Sequence, residues 1–282
     1  MDTVLVTGAQ GLIGEAVCRL LASRGRPFIA TDWRAGEGVT ALDVSDAAAV
    51  EAVADATPFG SVVHCAAYSG PMVEADRPAE LVRVNVGGTV NLLEVMRTRG
   101  LRRMAYCSSV SAIGPTHEKS DGTLIPAPST VYGATKTACE HILEGYRIEH
   151  EVDSVSLRFP HVYGPRRGTA CAIKTMILDA IAGRTTRLGP SGDVPTQYLH
   201  ADDAALALVT ALDAPALPAR RYMATGGEFL PMAAVVAIVR EVVPGARVEI
   251  EPGMASTYEV QQEFDVTPIA RDIGFRPLIR LR

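Results

Sequence analysis

The sequence predicts an α/β fold, a doubly wound parallel sheet carrying a small C-terminal lobe, on three observations. Short β-branched runs alternate with helical patterns through the first 160 residues. Several of these runs are apolar throughout rather than alternating, as in parallel strands covered on both faces. A glycine-rich turn joins the first strand to the first helix.

Strands are predicted at 3–7, 28–32, 39–43, 61–66, 104–108 and 155–159. Between the first two, Ile13, Ala16, Val17, Leu20 and Leu21 follow the i, i+3, i+4, i+7, i+8 spacing of an amphipathic helix. Ser45 is the expected N-cap of the second helix, which runs into an Ala/Val-rich segment. After Phe159 the rhythm loosens, and Gly164-Pro165 and Gly189-Pro190 mark loops. Helices are expected at 172–182, 203–212 and 232–242, with short strands at 221–224 and 248–251.

Composition narrows the function. The 282 residues are 48% hydrophobic, enough for one large core with a smaller lobe. The net charge of −5 is spread along the chain, so there is neither a basic footprint for nucleic acid nor a polybasic membrane anchor. The five cysteines, Cys18, Cys65, Cys107, Cys139 and Cys171, form no CxxC pair, which argues against a disulfide framework or a metal site and fits a reducing cytoplasm. The first apolar run, at 4–6, is too short for a signal-peptide core, and no run approaches a membrane span.

The turn after the first strand reads Gly8-Ala9-Gln10-Gly11-Leu12-Ile13-Gly14. A pyrophosphate that must approach backbone N–H groups at a helix N-terminus needs a turn without side chains in the way. Asp32 ends the second strand, 18 residues after Gly14, where a carboxylate takes the adenosine ribose hydroxyls. That favours NAD, and Arg34 two residues on leaves NADP open as the alternative. Asp43 ends the third strand and either meets the adenine or caps the following helix. The chain therefore divides into a Rossmann-type dinucleotide-binding domain, 1–165, and a small substrate-binding lobe, 166–282, with some crossing back.

Tyr132-Gly133-Ala134-Thr135-Lys136 is a Y-x-x-x-K element. Positions four apart share a helix face, so the Lys136 cation would stabilise a phenolate on Tyr132 and let it move a proton while a hydride moves to or from nicotinamide. The fifth strand delivers Ser108-Ser109 to the C-terminal edge of the sheet, where ligands of open α/β sheets bind.

With these residues in place, the chain resembles the extended short-chain dehydrogenase/reductases, the NAD-dependent epimerase/dehydratase family. Thr7–Gly14 is similar to TGAxGxIG, His64-Cys65-Ala66-Ala67 to HxAA, Asn85–Thr89 to NVxGT, and Tyr132–Lys136 to YxxxK. Ser108-Ser109, the stretch from Leu157 to Pro165, His200-Ala201-Asp202-Asp203 and Ile273–Pro277 match further family segments in order. The resemblance implies that Ser109, Tyr132 and Lys136 are catalytic, with Lys136 also on the nicotinamide ribose. It implies a cofactor surface of Gly8, Gly11, Leu12, Ile13, Gly14, Asp32, Asp43, Val44, Cys65, Ala66, Ala67, Asn85, Ser108, Tyr132, Lys136, Pro160 and Val162. Substrate is expected at Ser109, Ser111, His161 and Tyr198, with no metal. A homodimer through the helices before and within Y-x-x-x-K is implied by resemblance alone.

The departures matter as much. Nucleotide-sugar members carry Asn where this chain has His161, and an Arg on the pyrophosphate where it has Thr196. A threonine hydroxyl does not replace a bidentate Arg–phosphate contact. Val110-Ser111-Ala112 after Ser109 lacks the acidic pair of the dehydratases. The expected activity is therefore an NAD(P)-dependent dehydrogenase or reductase acting on a secondary alcohol of a sugar, sugar acid or other small hydroxylated molecule. An NAD-dependent nucleotide-sugar epimerase is the alternative, resting on whether one of Arg166, Arg167, Arg184 and Arg187 can reach a diphosphate.

Overall fold

The computed structural model describes residues 2–115, 125–189, 194–253 and 261–281; Pro190 of the second predicted loop lies outside them. In chain order the first layer holds β1 (Val4–Thr7), α1 (Leu12–Ser23), β2 (Phe28–Asp32), β3 (Thr40–Ala41), α2 (Ala47–Ala56) and β4 (Ser61–His64). It continues with α3 (Pro78–Val82), a π-helical turn (Arg83–Gly87), α4 (Gly88–Arg99), β5 (Arg103–Ser109), a 3₁₀ turn (Val110–Ala112), α5 (Val131–His150) and β6 (Ser154–Phe159). There follow β7 (His161–Tyr163), α6 (Ala172–Ile181), β8 (Thr185–Leu188), β9 (Thr196–His200), α7 (Ala201–Asp213), β10 (Arg221–Met223), β11 (Phe229–Leu230), α8 (Met232–Val242), β12 (Arg247–Ile250) and α9 (Thr267–Ile273).

A seven-stranded sheet runs in the order β10-β6-β5-β4-β1-β2-β3, with every pairing parallel. Its central strands are buried because both faces are covered. Val4, Val6, Val63 and Ala105 pack with α1 and α7 on one side. Leu5, Val62, Met104 and Tyr106 pack with α2, α4 and α5 on the other. Strand order reverses between β1 and β4, and the C-terminal ends on either side of that switch point form the crevice that holds ligands in such sheets.

Two local expectations are corrected. The third strand shrinks to Thr40–Ala41, both exposed at the sheet edge, because only two residues find a partner on β2. The second helix is capped by Asp46, whose carboxylate accepts from the amides of Ala48 (3.0 Å) and Ala49 (3.2 Å). Ser45 is unavailable as the cap: its amide (3.0 Å) and hydroxyl (2.5 Å) both donate to Asp43 Oδ1.

The chain after β6 serves two bodies. Helix α7 lies against α1, and β10 adds to β6, so both belong to the large sheet. Helix α9 packs on β10, with Ile269 in the large core, and the remaining elements form a smaller lobe, with β11-β9-β7 in one sheet, β12-β8 in another, and a core of Ile173, Met176, Tyr198, Val235, Val236 and Val239. Asp203, fully buried on α7, accepts from the amides of Leu278 and Ile279 at 2.9 Å each and ties the C-terminal segment down. No helix among the described residues is long and apolar enough to cross a membrane.

Candidate active site

A cavity of about 480 Å³ opens at the C-terminal edge of the sheet, between the large layer and the lobe. At one end stands the glycine turn. Gly8 has φ +69°, and a Cβ there would meet the Ala66 amide nitrogen at 2.7 Å; a Cβ on Gly14 would lie 2.0 Å from the Gly8 carbonyl oxygen. Only glycines let the turn pack against β4 and α1 against the turn. Gly11 is the N-cap of α1 and, lacking a side chain, leaves the first amides of the helix without a side-chain partner, facing the cavity. Asp32 holds this end in place: its carboxylate accepts from the amides of Gln10 (2.8 Å) and Trp33 (2.8 Å). An uncapped helix N-terminus beside a fixed carboxylate fits the pyrophosphate and adenosine of a dinucleotide.

At the other end β5 and α5 converge. Ser109 ends β5, and its hydroxyl oxygen accepts from the Ser111 amide at 3.1 Å, which leaves the hydroxyl proton to be donated. Thr130 caps α5 through the Gly133 amide (3.0 Å), placing Tyr132 in the first turn. A Cβ on Gly133 would sit 2.4 Å from the Ser111 carbonyl oxygen, so this glycine is what brings the Tyr132 turn against the Ser109 turn. Lys136 Nζ donates to the Cys107 carbonyl (2.7 Å), 5.9 Å from the Tyr132 ring centroid and 4.7 Å from that of Tyr106.

Beneath this set lies a pair the sequence reading missed. Glu140, one turn beyond Lys136, and Arg158 on β6 are 0% and 1% exposed and meet at 2.6 Å. Ser108 donates to the same carboxylate at 2.6 Å. Three elements, β5, α5 and β6, are thereby locked together under the residues they present. The signal was legible as a second i, i+4 step, Lys136 to Glu140, but nothing in the sequence paired it with Arg158.

His64 is a neutral strut. Thr89 donates to the Asn85 carbonyl (2.7 Å), so it accepts from His64 Nε2 (3.1 Å), and Nδ1 then accepts from Thr7 (2.7 Å). Burial, with the Lys136 charge nearby, pushes the imidazole down to about 3. Asn85, within the π turn, spends its side chain on the Tyr68 amide (2.8 Å), the Tyr68 carbonyl (3.1 Å) and Thr135 (3.1 Å). It thus anchors the loop at 68–73 that walls the cavity.

Of the residues expected at the site, Gly8, Gly11, Leu12, Ile13, Gly14, Cys65, Ala67, Ser108, Ser109, Ser111, Tyr132, Lys136, Pro160, His161 and Val162 line the cavity together. Asp32 stands beside its glycine end, whereas Asp43 lies outside, held by Ser45, with Arg83 3.6 Å away. Val44 packs where a Cβ on Gly88 would go, and Ala66 backs Gly8. Asn85 stands behind the wall. Tyr198 sits behind His161, ring centroids 6.0 Å apart.

The four lobe arginines separate cleanly. Arg184 pairs with Asp179 at 2.7 Å and Arg187 with Glu249 at 3.2 Å, both on the surface. Arg166 and Arg167 line the cavity. Arg167 donates through Nη1 to the Val162 carbonyl, and its buried Nε has no partner.

A glycine turn and a Ser/Tyr/Lys set facing one cavity at a sheet switch point define a dinucleotide-binding α/β enzyme. The chain belongs to the NAD dependent epimerase/dehydratase family, whose model matches residues 4–223. A UDP-glucose 4-epimerase of Streptomyces lividans is 29% identical over 232 residues, covering 74% of this chain and 70% of that protein. UDP-glucuronate 4-epimerase 3 of Arabidopsis thaliana is 28% identical over 235 residues, 75% of this chain and 55% of that one, so the chain spans about half the length of that relative. Among solved structures, the UDP-glucose 4-epimerase of Thermus thermophilus in complex with NAD has a TM-score of 0.87 at 27% identity, covering 99% of this chain and 94% of that one. A partial consensus L-threonine 3-dehydrogenase has a TM-score of 0.90 at 25% identity, covering 99% and 95%.

Proposed function

We propose that the protein is an NAD-dependent epimerase of a nucleotide-linked sugar, inverting a ring carbon that bears a hydroxyl. The observation that carries this reading is Arg167. Its guanidinium lies on the cavity wall beside that of Arg166 and offers positive charge to an anionic guest. A sugar diphosphate makes fuller use of that charge than a neutral polyol, whose hydroxyls accept hydrogen bonds but neutralise no cation. The epimerase relatives support the same choice, so net dehydrogenation, the activity expected from the sequence, becomes the second reading.

The adenosine end of NAD is assigned to Asp32 and its diphosphate to the Gly11–Gly14 amides. When bound, the cofactor supplies a hydride acceptor that is regenerated within the turnover. Tyr132 takes the proton from the substrate hydroxyl and returns it after the sugar ring has turned over. Ser109 donates a hydrogen bond to the same oxygen, and the Lys136 ammonium stabilises the phenolate form of Tyr132. The 68–73 loop and the 166–169 segment wall off the guest.

The second reading has its own observation: Thr196 stands at the β9 position where the resemblance implies a phosphate-binding Arg, and it is absent from the cavity wall. The test separates the two. Purified protein is incubated with NAD and UDP-glucose, UDP-glucuronate, free sugars or amino acids, and followed by proton NMR and nicotinamide absorbance. Epimer formation without net absorbance change is expected, with UDP binding in the micromolar range by calorimetry. UDP binding no tighter than about millimolar, with net reduction of NAD by a small hydroxylated substrate, transfers the case to the dehydrogenase.

A further inference from the structure

Two cysteines that the catalytic reading does not use stand side by side under the cavity. In the parallel pair β4·β5, His64 is matched to Tyr106, so Cys65 and Cys107 are the next residues on each strand. Neighbouring strands lie about 4.8 Å apart, within the Cα separation a disulfide spans. Both side chains lie on the same face of the sheet, against the core shared with α1 and α7. Each thiol is only partly buried, and both line the cavity, so a small solute reaches them from its open side.

We propose that Cys65 and Cys107 form an oxidisable thiol pair, converted by a peroxide to a disulfide across β4 and β5, and that the oxidised protein binds NAD more weakly. The second half rests on the assignment of NAD to this cavity; the first does not.

The chemistry favours Cys107 as the attacking group. The neighbouring Cys65 thiol and the Lys136 ammonium both hold the Cys107 thiol below its usual range despite burial. The Cys107 thiolate attacks one peroxide oxygen, the O–O bond breaks, and hydroxide leaves with a sulfenic acid formed on Cys107. Cys65 then gives up its proton and attacks the Cys107 sulfur; the sulfenic oxygen departs as water and the S–S bond closes. Two thiols and one peroxide become one disulfide and two waters. Cys18, the remaining thiol close to Cys65, is no competitor: burial and the Glu15 charge push it up to about 11 and keep it protonated.

The consequence for the cofactor follows from what the two residues touch. A disulfide fixes both side chains in one geometry and favours a Cα separation of roughly 5.5–6 Å, against about 4.8 Å between neighbouring strands. The Cys107 carbonyl is the acceptor for Lys136 Nζ, and the backbone at 65–66 lies 2.7–2.8 Å from where a Gly8 Cβ would be. A shift of either strand therefore disturbs both ends of the cavity.

The test treats purified protein with hydrogen peroxide, blocks residual thiols, and maps peptides by mass spectrometry without reduction. A Cys65–Cys107 cross-linked peptide is expected, with two of the five thiols lost. The calorimetric Kd for NAD is expected to rise at least about tenfold and to return on reduction with dithiothreitol. C65S and C107S, each compared with its own untreated sample, should give no cross-link and no peroxide-dependent change in Kd. Thermal melting of both variants verifies that they fold. Oxidation of Cys107 alone to the sulfinic acid, or a cross-link that leaves the NAD Kd unchanged, overturns the proposal. If the untreated protein binds no NAD, the assignment of the cavity fails instead, and the peptide map still decides whether the thiols pair.

Discussion

The floor of the cavity and its rim are built on opposite principles. At the floor most polar groups are spoken for: Glu140 holds Arg158 and Ser108, His64 bridges Thr7 and Thr89, and Lys136 rests on the Cys107 carbonyl, with the buried Tyr106 hydroxyl the exception. At the rim, Arg167 keeps a buried donor without a partner and His161 faces the cavity from an exposed position. A saturated network holds reacting groups in place; an unfilled one is set aside for a guest. Under the proposed function, the floor holds the reacting groups and the rim faces the substrate.

Substitutions that probe the floor should have the largest effects. Tyr132→Phe removes the proton-transfer hydroxyl alone and is expected to lower turnover by roughly two to four orders of magnitude, with the NAD Kd nearly unchanged by calorimetry. Near-normal turnover would move the proton to another group and leave the floor a mere support. Arg158→Met leaves Glu140 charged and unpaired in a fully buried position and should cost about 3–5 kcal/mol in urea denaturation. A loss under about 1 kcal/mol, the scale of a surface pair, would mean that the floor is no more tightly built than the exterior.

At the rim, Arg167→Ala should weaken UDP binding by roughly ten- to a hundredfold, the scale of a hydrogen bond to a charged group, with little change in thermal stability. The reverse result, an unchanged UDP Kd with a fall in Tm, would make Arg167 a structural residue tied to Val162. Acid titration sharpens the contrast further. His64 is held neutral at about 3 in the folded chain against an ordinary value near 6.5. From pH 6.5 down towards 3 the unfolded chain takes up a proton that the native one refuses, so stability falls as pH falls. His64→Gln should flatten that decline in urea midpoints measured between pH 7 and 4; an unchanged slope would place the acid sensitivity elsewhere. The smallest effect belongs to Arg187→Ala. Its pair with Glu249 is 77% and 64% exposed, so stability should change by no more than about 1 kcal/mol and UDP binding not at all.

Much of this protein could be read from its residues in order. Periodicity and apolar runs located the strands of the first layer and its first two helices, and the glycine turn and Y-x-x-x-K element marked the two ends of the cavity, because each is a local arrangement with a short, fixed spacing. Asp46 rather than Ser45 as a cap is a one-residue slip within the same logic. What local spacing could not decide were contacts between residues far apart in the chain. Nothing in the sequence shows that Glu140 closes on Arg158, that Gly133 exists to let α5 meet the Ser111 carbonyl, or that Cys65 and Cys107 are neighbours. Four lobe arginines look alike as letters; tertiary structure alone turned Arg184 and Arg187 to surface partners and Arg166 and Arg167 to the cavity. A spacing of three or four residues fixes a helical face by backbone geometry. Pairing across 18 or 42 residues depends on strand order and packing, which exist only once the chain has folded.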